Sequence, residues 1–263
     1  MLYLLSPAKS LDYDTPVPAP VARRATDPLF IEQATELIGV MRRKSAAEVA
    51  ALMDLSDNLA KLNVDRYAAW QPDATPLNSK PAVLAFNGDV YDGLEARGLK
   101  TADLAWAQDH LVLLSGLYGA LRPLDRLQPY RLEMGTAVKT RRGKDLYAYW
   151  GDTVTNHLNE RLAAERSPVI VNLASIEYAR VALRKPLAAR VIDCVFEDWK
   201  SGEYKVISFF AKRARGLMAR HAVLHRINSP KKLESFAADG YALDPDVSTR
   251  DRLVFRRRVA DSG

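Results

Sequence analysis

The sequence predicts one α+β domain with a mixed sheet and surrounding helices, and three observations carry that prediction. Short apolar runs bounded by turn residues alternate with longer stretches of helical hydrophobic period, so strands and helices are both expected. They interleave without regular βαβ spacing, and no internal repeat or linker divides them. The 263 residues are about the upper size for one hydrophobic core, so residues 1–263 are read as a single compact domain.

Leu2–Leu5 read as a short buried strand, stopped by Ser6 and Pro7. Residues 12–28 carry Pro16, Pro18, Pro20 and Pro28, so an irregular surface segment is expected there. From Leu29, the residues Phe30, Ala34, Leu37, Ile38 and Met41 follow helical spacing, and Arg42, Arg43 and Lys44 suit the negative end of that helix. Ser45 with Glu48 three residues on has the pattern of a capping box, opening a short helix to Met53. A further helix is expected over about 56–70, ended by Pro72. The runs 83–86, 111–114 and 169–172 are consistent with buried strands, with a helix over 101–109 between the first two. One long amphipathic helix is expected over 145–165. Residues 191–199 and 204–210 flank Lys200, Ser201, Gly202 and Glu203 as a hairpin. A helix over 211–227, a short one after Pro230 and a closing strand at 253–255 complete the chain.

Composition narrows the function classes. Lys and Arg total 38 against 32 acidic residues, a net charge of +6 and a pI near 9.3. Such a balance favours a polyanionic partner where the cations are clustered. One cysteine, Cys194, excludes an intrachain disulfide; its apolar and acidic neighbours read as a buried structural thiol rather than a peroxide sensor. No apolar stretch reaches the ~20 residues of a membrane span, and the first residues lack a signal-peptide pattern, so a cytoplasmic protein is expected.

The familiar chemical signatures are missing. There is neither a phosphate-binding G-x-x-x-x-G-K-[ST] loop nor a G-x-G-x-x-G turn, and the glycines of Gly116-Leu117-Tyr118-Gly119 read as a turn. His221 and His225 share a helix face, but Ala222 stands where a metalloprotease has glutamate, and no third ligand accompanies them. No metal and no cofactor is expected. Ser6-Pro7-Ala8-Lys9 matches the S-x-x-K of serine acyl-transfer enzymes without its companion motifs, and Pro7 opposes the helical turn that chemistry uses. The bland reading of Lys9 is a surface pair with Asp12.

Charge distribution is the strongest signal. Residues 205–232 hold eight Lys or Arg and no Asp or Glu. At helical spacing Lys212, Arg213, Arg215, Arg220 and Arg226 fall on one broad side, with Phe210, Ala214, Leu217, Met218 and Leu224 opposite. A helix packed by one face would offer phosphates the other, although a solvated basic face with no ligand explains the pattern equally well. A second cluster holds Arg122, Arg126, Arg131, Lys139, Arg141, Arg142 and Lys144, interleaved with tyrosines and diluted by acids.

These same segments resemble one family. LSPAKSLDY at 5–13, FNGDVYDGL at 86–94, SGLYGALRPLD at 115–125, PYRLEMG at 129–135, NLAS at 172–175 and SFFAKRARGLM at 208–218 are similar to the YaaA family of bacterial peroxide-stress proteins. The resemblance runs from Leu2 to about Arg257. It implies a family-specific α+β fold with a basic cleft, binding of double-stranded DNA, protection against hydrogen peroxide and restraint of free iron. It also implies a helix-hairpin-helix element, whose candidate is 45–70. No glycine lies between Gly39 and Gly88, so Lys61, Asn63 and Arg66 rather than hairpin amides would make its contacts.

Two functions are therefore expected in competition. The first is duplex binding led by phosphate contacts, without sequence preference, by a cleft lined by Lys9, Arg122, Arg131, Lys212, Arg213, Arg215 and Arg220, with Lys61 and Arg66 nearby. The second is an enzyme acting on a nucleotide or small anion in a pocket gathering Ser6, Lys9, Asp12, Arg122, Asp125 and Arg131. A deep pocket at Lys9 favours the enzyme and a broad open cleft favours DNA. The sequence does not fix an oligomeric state, and a monomer is the default expectation.

Overall fold

In the computed structural model residues 1–258 are described; the last five positions of the predicted domain, 259–263, lie outside the described residues. The chain opens with β1 (Leu2–Leu5), followed by α1 (Ile31–Met41), α2 (Ala46–Met53), α3 (Asp57–Ala69), α4 (Asp89–Leu94) and α5 (Thr101–His110). Then come β2 (Leu111–Ser115), β3 (Gly119–Leu121), α6 (Leu146–Trp150), α7 (Thr153–Leu162) and β4 (Val169–Leu173). The last third holds α8 (Ile176–Ala182), β5 (Arg190–Lys200), β6 (Glu203–Lys205), α9 (Ser208–Leu224), β7 (Ala242–Leu243) and β8 (Arg252–Arg257).

These strands form a mixed eight-stranded sheet in the order β7-β8-β5-β4-β1-β2-β3, with β6 paired to β5. Its centre is parallel: Leu4 of β1 stands opposite Val112 on one side and Asn172 on the other. β1 and β2 are buried along their whole length, as strands covered on both faces must be, which is why they read as unbroken apolar runs. The spacing looked irregular because seven α-helices, α1 to α5 and two of four residues each, separate β1 from β2 whereas α8 alone separates β4 from β5. Pairs at the edges are antiparallel, β2 with β3 and β7 with β8. One α+β domain with a mixed sheet results, and among the described residues no helix is long and apolar enough to cross a membrane.

Several expectations change. The long helix over 145–165 is two helices, because Gly151 between them has φ 48°, a left-handed conformation that ends α6. Of the run 83–86 only Phe86 is in a strand, paired with Leu11; Ala82–Ala85 form a helical turn, fully buried, a case that periodicity cannot separate from a strand. Within the proline-rich segment Ala19–Ala22 form a short helix, with proline where the first turn needs no amide donor. The hairpin at 200–203 exists, but its second strand stops at Lys205 and α9 begins at Ser208. Phe209 and Phe210 are therefore exposed at a helix start rather than paired in a sheet.

α9 crosses α4 with backbone touching backbone. A Cβ on Gly216 would stand 1.8 Å from the Val90 carbonyl oxygen, and one on Gly93 2.1 Å from that of Arg213. No side chain fits between these helices, so the glycine pair fixes where Lys212, one turn before Gly216, and Arg215, next to it, emerge. Cys194 lies buried in β5 beside Leu253, and burial, then the Asp193 carboxylate, pushes its thiol pKa up.

Candidate functional site

In an open sheet with parallel strands, ligands collect where neighbouring strands send their connections in opposite directions. β1 leads onward to β2 and β4 leads onward to β5, which lie on opposite sides of the β1–β4 pair. Beyond the carboxyl ends of β1 and β4 lies a crevice of about 450 Å³, whose walls include Ser6 to Ser10, Tyr130 to Glu133, Ser175, Lys212 and Arg215.

Two turns form its base. The Ser6 hydroxyl, just past β1, accepts the Ser175 N–H at 2.9 Å and lies 3.3 Å from the Ser175 hydroxyl. The Tyr91 hydroxyl of α4 donates to the Ser6 carbonyl at 3.1 Å. Ser6 thus ties two strand ends together, a structural use of the S-x-x-K serine. Lys9 does not pair with Asp12. Its ammonium lies 2.8 Å from Glu133 Oε2, while Arg131 holds Glu133 Oε1 at 3.0 and 3.2 Å. Asp12 faces Lys80 at 3.4 Å and Arg97 at 3.1 Å instead, and the Thr15 amide first, helped by those cations, lowers its pKa. The Tyr67 hydroxyl donates to the Arg131 carbonyl, which anchors the 129–135 segment against α3.

α9 completes the crevice. Lys212 is exposed, Arg215 is half-buried, and among the described residues neither has a carboxylate or hydrogen-bond partner. Burial alone lowers the Arg215 pKa. Its neighbours on the same helix differ. Arg213 approaches Asp239 at 3.8 Å. Arg220 caps α4, donating to the carbonyls of Leu94 at 3.0 Å and Glu95 at 2.8 Å. Arg226 pairs with Asp103 at 2.7 Å. The expected outward cationic face is accordingly not one surface; most of its arginines hold the fold together, and Phe210 and Leu224, expected on the packed side, are exposed.

Arg122 is also elsewhere. Its Nε and Nη2 grip Asp125 at 3.1 and 2.9 Å, and its backbone amide donates to the same carboxylate at 2.8 Å. Asp125, only 1% exposed, also accepts from Thr26 at 2.6 Å; burial raises its pKa against these bonds. This clasp borders a separate cavity of about 310 Å³ with His157 and Arg161. The expected pocket joining Lys9, Asp12 and Arg122 is thereby split into three places.

The 45–70 region is α2, a turn and α3, packed on each other. Ser45 and Glu48 make the capping box. Asp54 takes the left-handed position in place of glycine, and the Leu55 amide closes the helix end on Ala50 at 3.1 Å. Lys61 is spent on Asp65 at 3.0 Å. Arg66 is half-buried near Tyr13 and Arg131, bonded to Asn63 at 3.3 Å. His221 meets the Ser235 hydroxyl at 3.3 Å, and among the described residues no group of three His, Cys, Asp or Glu is arranged to hold a metal.

Of the nine cations named from sequence, the crevice collects Lys9, Arg131, Lys212 and Arg215. It also contains Asn87, Asp89, Tyr91, Glu177 and Tyr178, to which the sequence reading gave no role. For Asn87, Asp89 and Tyr91 the signal was present, since 86–94 stands among the resembling motifs, whereas Glu177 and Tyr178 lie just beyond 172–175, and nothing local in these residues announces a chemistry.

Fold and site together define a mixed-sheet α+β protein with a cation-lined crevice at the switch point of its parallel strands. The chain belongs to the family described as peroxide stress protein YaaA, whose model matches residues 1–247. It is 66% identical over 261 residues to a UPF0246 protein of Leptothrix cholodnii, covering 99% of this chain and all of that protein. A UPF0246 protein of Paracidovorax citrulli is 60% identical over 260 residues and one of Bordetella pertussis 59% over 260, each again covering 99% of this chain and the whole relative.

Proposed function

We propose that this protein serves the peroxide-stress response by binding duplex DNA through its phosphates, without sequence preference, across the mouth of the crevice. The observation that carries the reading is the convergence of Lys9, Arg131, Lys212 and Arg215 from three distant segments on one opening. Lys9 and Lys212 form the exposed rim; the Lys9 side chain is 65% accessible and its one partner among the described residues, Glu133, is shared with Arg131. Exposed cations of this kind can exchange a carboxylate for a phosphate and release its counterions. Protein held along DNA in this way would limit iron-driven damage to the duplex.

The enclosed floor of the same crevice favours a second reading, a small anionic ligand held below the rim. A nucleophilic role for Lys9 gains no support, because such a lysine is desolvated or set beside another cation without a counter-charge, and Lys9 is exposed on a carboxylate. Duplex binding is tested by titrating the protein with unrelated duplexes from low to physiological salt. With ~4–6 phosphates neutralised, log K against log salt should fall with a slope near −4 to −5 for every sequence. A flat response rejects the reading.

A further inference from the structure

Arg215 differs from the other arginines near it. Arg131, Arg213, Arg220 and Arg226 each have a carboxylate, whereas Arg215, half-buried at the crevice wall, has neither carboxylate nor acceptor among the described residues. A guanidinium carries five donors, and those of Arg215, unpaired but not sealed from solvent, stay available to a ligand. Lys212 stands one turn earlier on α9, so the two cations share a helix side. Two cations aimed at one space match a dianionic phosphate better than a single carboxylate. Of the acids lining the cavity, Glu133 is already divided between Lys9 and Arg131, Glu177 accepts the Gly135 amide at 2.8 Å, and Asp89 pairs with neither cation.

The remaining lining suits more than an ion. Tyr91 and Tyr130 face the cavity with their hydroxyls engaged, on the Ser6 carbonyl and on the Ser115 hydroxyl at 2.6 Å, so their ring carbons are what they offer a ligand. Asn87 and Asp89 bring free polar groups to the same cavity, among the described residues without ion-pair partners. Asp89 could accept from sugar hydroxyls, a role for which an inorganic anion has no use. About 450 Å³ is the size of a small-molecule site and far too small for a duplex.

We propose that the crevice binds one nucleoside phosphate, its phosphate between Arg215 on the wall and Lys212 at the rim, its ring against Tyr91 and Tyr130, and its sugar toward Asp89. The ligand is a free nucleotide or one nucleotide of a strand. The proposal shares its cavity and Lys212 with the duplex reading but does not depend on it, since a nucleotide inside the crevice needs no duplex across its mouth.

The test is calorimetric titration of the full chain with AMP, adenosine and inorganic phosphate. AMP should saturate one site below about 1 mM, with adenosine and phosphate each at least ~10-fold weaker. Arg215→Gln should weaken AMP by about tenfold and Arg215→Lys by less, while neither lowers the melting temperature, because among the described residues Arg215 has no ion pair or hydrogen bond for the fold to lose. Should Arg215→Gln not fold, Arg215→Lys and Lys212→Ala carry the same comparison. No saturation by AMP, equal binding of phosphate alone, or AMP affinity unchanged in these variants overturns the proposal. A gapped duplex bound more tightly than an intact one, in an Arg215-dependent way, identifies a strand-borne nucleotide; equal binding of the two duplexes identifies the free one. Loss of duplex binding with AMP binding intact leaves this site standing and rejects the duplex reading alone.

Discussion

Two arginine-rich regions of this protein look alike in sequence and behave oppositely in the fold. At Arg122 the charge is matched: Asp125, itself buried, takes three bonds from that one residue and a fourth from Thr26. At the crevice Glu133 serves two cations while Lys212 and Arg215 have no acid among the described residues. The first arrangement stores stability, and the second leaves positive charge for a ligand. Counting cations cannot separate them; counting satisfied donors can.

The sharpest way to break this comparison is to truncate one member of each region. Arg122→Ala strands the Asp125 carboxylate in the interior, and breaking a buried pair typically costs ~3–5 kcal/mol; with part of the Arg122 side chain exposed, about 3 kcal/mol is expected in urea unfolding. Lys212→Ala, which removes an exposed cation, should change stability by less than ~0.5 kcal/mol. Equal losses would erase the distinction.

Gly216→Ala probes the crossing that delivers Lys212 and Arg215. With a backbone oxygen 1.8 Å from the added carbon, the helices must separate, and overpacking of this kind costs about 1–3 kcal/mol. Thermal unfolding should show it, and anion binding should weaken together with stability.

A smaller effect probes the cavity beside the Arg122 clasp by pH. Burial first, then Arg161 and Arg122, pushes the His157 pKa down to about 4 from 6.5. The unfolded chain therefore binds a proton below about pH 6.5 that the folded chain refuses until about pH 4. The contribution is complete above pH 6.5 and is lost as the pH falls toward 4. Between pH 7 and 5 about 1 kcal/mol should disappear, allowing for solvent screening of a half-buried ring, and His157→Gln should flatten that slope relative to wild type. Smallest is Cys194→Ser, expected to leave peroxide survival unchanged, because a thiol buried in β5 with a raised pKa supplies little thiolate.

Much of the architecture was legible because it rests on local chemistry. The capping box at Ser45 and Glu48, the apolar strands at Leu2–Leu5 and Leu111–Ser115, and the helix α1 follow from period and composition. The failures lie where tertiary contact decides. Gly151 could have sat within a helix, and its left-handed φ is set by the packing of α6 against its surroundings. Residues 83–86 are buried whether coiled or extended. For the site, the sequence named the right residue types but could not tell that Arg220 caps α4 or that Arg122 closes on its own turn, since partners far apart in the chain settle both. Arg215 was one cation among many until its lack of a partner became visible.

The central claim is that the rim cations, and not the clasped ones, meet phosphate. It is tested most directly by the salt dependence of duplex binding in Lys9→Ala/Lys212→Ala beside wild type, with Arg213→Ala as the control from the paired side of α9. Loss of two phosphate contacts should reduce the slope of log K against log salt by ~2 in the double variant, and by much less in the control. An unchanged slope in the double variant, or an equal reduction in Arg213→Ala, would contradict the account.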